Sequence, residues 1–269
     1  MIAAVIGGAN GIGLEIARQM TSRGAKVAIG DRDGDAAIRA AAAIGGHATG
    51  IRVDVTNPAS IEAFLAEIES SWGTVDVLVN SAGVMWVGAY DSEPESATHA
   101  QIDVNLLGVI HTVKAVAPRM RARGSGHILV IASAASLLPT PGEATYAASK
   151  HGVFGYLKAV RAELRGTGVK ISVIMPTVVE TALAAGTSSG SAALLKPADV
   201  ARAVVRTIER PRFEVTIPAY VGPLRRAIDI LPGTVRDTLL SALVPDQVRS
   251  VDRGARAAYE SAFMDRDGA

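Results

Sequence analysis

The 269-residue chain contains no cysteine. That excludes disulfides, thiolate metal sites and a cysteine nucleophile, and no metal is expected. It fits a reducing compartment, although absence of cysteine also suits secretion; the expected location is cytoplasmic. Aromatic residues make up only 4% of the chain. No run of about 18 apolar residues occurs, so no membrane-spanning helix is expected. The apolar start, Met1 to Ile6, lacks a basic leader and runs straight into a glycine loop, which does not read as a signal peptide. An excess of one charge is missing too. Lys and Arg number 27 against 26 Asp and Glu. No strong net field therefore argues for a nucleic-acid partner.

What is present is Ala, Val, Ile and Gly in quantity, and the chain is 49% hydrophobic. Such a mix suits buried parallel strands covered by helices on both faces. The length suits one large α/β domain. Apolar runs predict strands at 2–6, 26–30, 48–53, 76–79, 128–132, 169–175 and 213–217, with helical patterns between them. The expected fold is a doubly wound, Rossmann-type parallel sheet of seven strands spanning 1–217. Residues 218–269 form an expected helical extension of the same domain. That extension could cap a cleft or pack at a subunit contact; contact with a membrane surface is the weakest reading, because acids match its basic residues.

Gly7-Gly8-Ala9-Asn10-Gly11-Ile12-Gly13 follows the first strand and opens a helical pattern. A strand, a glycine loop and a helix N-terminus make a pyrophosphate site, through close backbone approach and free N–H groups. The spacing is GxxxGxG rather than GxGxxG, and a plain turn before a helix is the competing reading. The second strand ends on Asp31, which can accept hydrogen bonds from ribose hydroxyls and repels a 2′-phosphate. NAD is therefore favoured, while Arg32 keeps NADP open. Alternatively, Asp31, Asp33 and Asp35 merely begin the next helix.

Asn80-Ser81-Ala82-Gly83 leaves the fourth strand, with small residues that admit a flat ligand. A single long helix is expected over 94–120, carrying Asn105 among apolar residues. That amide either bonds a neighbouring backbone carbonyl or holds a water. Ser133 ends the fifth strand. Tyr146 and Lys150 stand at i and i+4 of the next helix, one turn apart on one face. A phenol titrates near ~10, and a neighbouring cation favours its phenolate. The pair can then move a proton on and off an alcohol oxygen. A bare YxxxK arises readily by chance; here the other constellations fall where that chemistry needs them. The stretch 182–191 is small and polar, and reads as a lid or binding loop.

Together these residues resemble the short-chain dehydrogenase/reductase family, in its compact single-domain branch, over residues 1–217. The resemblance implies that Tyr146 is the acid/base and that Lys150 binds the nicotinamide ribose and lowers the phenol pKa. It implies that Ser133 hydrogen-bonds the substrate oxygen, with Ser136 as a substitute, and that Asn105 holds a water linking the lysine to solvent. Cofactor contacts are implied for Gly7, Asn10, Gly11, Ile12, Gly13, Asp31, Arg32, Asp54, Val55, Asn80, Ala82, Gly83, Tyr146, Lys150, Pro176, Val179 and Thr181. The pair Asp54 and Val55 resembles the adenine contact. Ile6, Ser81 and Thr177 depart from the family's more usual Thr, Asn and Gly.

The implied reaction is reversible hydride transfer between a secondary alcohol and a ketone by a homodimer or homotetramer. The two long helices, 94–120 and 146–164, carry apolar residues on more than one side, which also suits an oligomer. The expected pocket lining is Val84, Met85, Trp86, Leu137, Leu138, Pro139 and 178–185, with no charge placed in it. Such a lining favours a lipophilic substrate. An NAD-binding regulator without catalysis and a sugar-nucleotide epimerase or dehydratase are the alternatives.

Overall fold

The computed structural model describes residues 1–190 and 192–264. Its core is one sheet of seven parallel strands in the order β3-β2-β1-β4-β5-β6-β7. In chain order the elements are β1 (Ile2–Ile6), α1 (Gly11–Thr21), β2 (Lys26–Asp31), α2 (Gly34–Ile44), β3 (Ala48–Arg52), α3 (Pro58–Trp72) and β4 (Val77–Asn80). Then come α4 (Glu95–Gln101), α5 (Gly108–Ala122), β5 (Gly126–Ile131), α6 (Ala144–Glu163), β6 (Val169–Pro176), α7 (Pro197–Glu209) and β7 (Glu214–Ile217). Four further helices close the chain: α8 (Val221–Asp229), α9 (Gly233–Leu243), α10 (Gln247–Ser250) and α11 (Arg253–Met264).

The expected strands are all present, with ends shifted by a residue or two. Strand periodicity explains why apolar runs specify them. In β1, Ala4 and Ile6 face one core while Ala3 and Val5 face the other. In β5, Ile128 and Val130 face the first core, Leu129 and Ile131 the second. Both faces are covered, so both sets are apolar. Strand order reverses between β1 and β4, which pair Ala3 with Val77 through Ile6 with Asn80. That reversal opens a crevice at the carboxyl ends of the strands, where ligands bind in such sheets.

The long helix expected over 94–120 is present without a break, but it is not α-helical throughout: between α4 and α5 runs a π stretch, Ile102–Leu107. The wider turn sits where Gly108 lies against Val55; a Cβ on Gly108 would stand 2.7 Å from Val55 Cγ2. Such turns are common at functional sites, and this one carries Asn105. The expected helical extension is present as several short helices, with a break at Val251-Asp252 between α10 and α11.

Candidate active site

The glycine loop is held by contacts that leave no room for side chains. A Cβ on Gly7, whose φ is +71°, would stand 2.6 Å from the Ala82 backbone nitrogen. A Cβ on Gly13 would meet Gly7 O at 2.0 Å. The loops after β1 and β4 therefore lie backbone against backbone. Asn10 precedes α1 and makes no side-chain cap, so the first-turn N–H groups stay open to an anion. Asp31 Oδ2 accepts a hydrogen bond from Ala9 N at 3.1 Å, which ties the β2 carboxylate to the glycine loop. It is Asp33 that caps α2, accepting from Ala36 N at 2.8 Å. Asp31 thus does not cap α2; Asp33 does.

A cavity of about 710 Å³ runs from this loop to the catalytic candidates. It is lined by Gly7, Asn10, Gly11, Ile12, Asp31, Arg32, Asp54 and Val55, then by Ala82, Gly83, Ser133, Tyr146, Lys150, Pro176, Val179 and Thr181. Three expected residues stand behind the wall. Gly13 is buried as the packing floor of the loop. Asn80 donates to Thr112 Oγ1 at 3.2 Å and accepts from Ala82 N at 3.1 Å, which braces the β4 loop. Asn105 is fully buried. Its amide accepts from Val84 N at 2.8 Å and donates to Val84 O at 2.9 Å and Ser149 Oγ at 3.1 Å. Its side chain thus bonds the Val84 backbone, as the first reading expected, and the Ser149 hydroxyl besides.

Tyr146 and Lys150 are both buried on α6, with the ammonium nitrogen 5.5 Å from the ring centroid. Lys150 Nζ donates to Ile131 O at 3.4 Å. Ser133 is extended at the end of β5, its hydroxyl accepting from Ala135 N at 3.1 Å. Burial pushes the Tyr146 phenol above its ordinary value, the Glu143 charge adds to this, and the Ser133 hydroxyl opposes it. Burial lowers Lys150 to about 8. In the chain alone, then, the phenol is raised where a lowered one was expected. Desolvation of the buried phenol is the largest cause of that rise.

The substrate end departs from expectation in three ways. Trp86, Leu137 and Pro139 do not line the cavity, whereas Val84, Met85 and Leu138 do. Trp86 is buried, with the Arg253 guanidinium 5.5 Å from its ring. The C-terminal helices supply a wall instead, through Leu224, Leu240, Leu243 and Phe263. Two charged side chains, Glu143 and Arg225, also face the cavity. Glu143 was missed, although its place just before Tyr146 was a usable signal.

Burial raises Glu143 to about 7 from an ordinary 4.5, against smaller downward effects of Thr140 and Arg256. The folded chain thus holds this proton more tightly than the unfolded one. The resulting stability is fully present below pH 4.5 and is lost as pH rises through 7. Glu143→Gln removes the titration. The melting temperature of the parent, relative to the variant, should fall across that window and level off above it. A pH-independent difference in thermal melts would refute the assignment.

The model of the short chain dehydrogenase family matches residues 1–192. An uncharacterized oxidoreductase of Staphylococcus saprophyticus is 34% identical over 224 residues, covering 80% of this chain and 96% of its own. One from Staphylococcus epidermidis is 31% identical over 220 residues, with the same coverage. Among solved structures, a variant of actinorhodin polyketide ketoreductase with NADPH has a TM-score of 0.75 and 31% identity, covering 82% of this chain and 97% of that one. The alcohol dehydrogenase of the archaeon Thermococcus sibiricus, complexed with 5-hydroxy-NADP, has a TM-score of 0.72 at 27% identity and covers 80% and 94%. With the glycine loop, Ser133, Tyr146 and Lys150 gathered on one cavity, and a family model matched over most of its length, the chain belongs to the short chain dehydrogenase family of oxidoreductases.

Proposed function

We propose that the protein interconverts a secondary alcohol and a ketone, using NAD(H), on a lipophilic substrate. The observation that carries this reading is the joint placement of Ser133, Tyr146 and Lys150 on the cavity that also holds the glycine loop and Asp31. The open N–H groups of α1 and the side-chain-free cradle of Gly7 and Gly13 suit a pyrophosphate. Asp31 would hold the adenosine ribose, Asp54 and Val55 the adenine, and Lys150 the nicotinamide ribose. The bound nicotinamide supplies or accepts the hydride. Ser133 orients the substrate oxygen. Tyr146, kept protonated by its burial, donates a proton to that oxygen in reduction. In oxidation it takes the proton back, and the Lys150 ammonium supports the phenolate.

An apolar wall binds by burying area, at about 25 cal/mol per Å² before the costs of association. The test is an NADH-coupled screen of steroid, terpenoid, aryl and aliphatic secondary alcohols beside polyols and hydroxy acids. Turnover should concentrate on the first group. Preference for polyols or hydroxy acids would defeat the lipophilic reading.

NAD is the preferred cofactor on the strength of Asp31, whose carboxylate repels a 2′-phosphate. Asp31→Ala should narrow the gap between the two cofactors, by raising the Michaelis constant for NAD and lowering that for NADP. A parent enzyme that already favours NADP in steady-state kinetics would overturn the preference. A homodimer or homotetramer remains part of the proposal, because α6 exposes the small residues Ala148, Gly155 and Ala159 on a face the sheet does not cover. No described helix is long and apolar enough to cross a membrane. A cytoplasmic location is part of the proposal.

A further inference from the structure

The stretch expected to be a lid is fastened by the C-terminal segment; its last residue, Ser191, lies outside the described residues. Gln247, on α10, is almost wholly buried. Its side-chain amide donates to Ser188 O at 2.7 Å and accepts from Ser188 N at 2.9 Å. Its own backbone N–H donates to Pro141 O at 3.0 Å, beside Glu143. Asp252 N donates to Gly186 O at 2.9 Å.

Arg256, on α11, is fully buried and divides its donors between two stretches of the wall and its own helix. Nη1 donates to Leu183 O at 3.0 Å and Ala185 O at 2.9 Å, and Nη2 to Met85 O at 2.6 Å. Nε donates to Glu260 Oε1 at 2.6 Å, and that oxygen also accepts from Val87 N at 3.3 Å. Leu183, Met85 and Gln247 all line the cavity. A buried guanidinium is costly to desolvate and is tolerated only with its donors satisfied. Here the acceptors are carbonyls of the segments that bound the substrate end. The segment that provides this clasp lies beyond residue 192, where the family match stops.

We propose that Gln247 and Arg256 are positioning residues that set substrate size selection: they lock the 183–188 stretch and the Met85 stretch to the C-terminal helices, making a fixed apolar wall. The cavity then favours a bulky, rigid apolar ketone, because its contacts are already in place before binding. A small ketone touches little of that wall and is served mainly by Ser133 and Tyr146. This inference rests on the carbonyl reading above.

The test uses the full chain with two variants. Gln247→Leu keeps the volume and removes the amide pair; Arg256→Met removes the fork but leaves Glu260 buried, so it is the one at risk of misfolding. Cyclohexanone and 1-decalone serve as monocyclic and bicyclic probes with NADH. The ratio of kcat/KM, bicyclic over monocyclic, should fall by about tenfold, through KM rather than kcat. Amide hydrogen exchange of 183–188, measured without substrate, should accelerate by about tenfold while β1 stays protected. An unchanged ratio in a folded Gln247→Leu variant, or a loss shared equally by both ketones, overturns the proposal. If the parent reduces neither ketone, the carbonyl reading is what fails. Exchange then decides the clasp alone, and unchanged protection of 183–188 sinks it.

Discussion

Tyr146→Phe should lower kcat by roughly 10²–10⁴-fold, the usual contribution of a positioned acid or base, while NADH binds with near-parental affinity. The substitution removes one hydroxyl and keeps the ring. That ring packs with Met85, Val87 and Ala135 in a small apolar cluster at the head of α6. Burial raises the phenol pKa, so the buried hydroxyl costs nothing in ionisation at neutral pH. Its loss should leave thermal stability close to the parent's. The measurement pairs steady-state turnover, on a substrate found by the screen, with NADH fluorescence titration. Retained turnover would remove Tyr146 from the reaction. Lost NADH binding would make it a structural residue of the cofactor cleft.

Gly13→Ala should be the most damaging single methyl in the cofactor half. The added carbon would stand 2.0 Å from Gly7 O, 2.8 Å from Gly7 C and 3.0 Å from Gly8 Cα. All three are backbone atoms, so no side chain can swing aside. Nor can the loop retreat, because Gly7 already lies against Ser81 and Ala82 of the β4 loop. The clash must displace either α1 or both loops at once. Overpacking of this kind costs about 1–3 kcal/mol, and the melting temperature should drop accordingly. NADH affinity should fall more steeply, by about 100-fold, because phosphate binding depends on N–H groups held in place before the ligand arrives. Parental NADH affinity in a folded Gly13→Ala protein would show that this loop does not cradle the cofactor.

Several features are legible in the sequence itself, and each has a local cause. Strands buried on both faces need apolar residues at every position, so runs such as Ile2–Ile6 announce themselves. A backbone that must pass within contact of another can be built only from glycine, so Gly7 and Gly13 stand out. Helical spacing places Tyr146 and Lys150 together whatever surrounds the helix. Other features had no local cause. The π stretch at Ile102–Leu107 ends at Gly108, which packs closely on Val55, a residue far away in the chain. The pattern around Asn105 reads equally well as one helix, because apolar periodicity is blind to a single widened turn.

Local rules of spacing, burial period and glycine geometry thus determined the sheet, the glycine loop and the pairing of Tyr146 with Lys150, whereas the roles of Ser133 and Asn105 came only from the family resemblance. Tertiary structure alone decided their electrostatics and the shape of the substrate end. Desolvation depends on everything packed around a group, so the raised phenol of Tyr146 and the raised acid of Glu143 are invisible to spacing. Arg256 and Glu260 stand at i and i+4, a spacing that by itself says nothing of burial. Folding buries them, because the free carbonyls of Met85, Leu183 and Ala185 need donors that only a distant segment can bring.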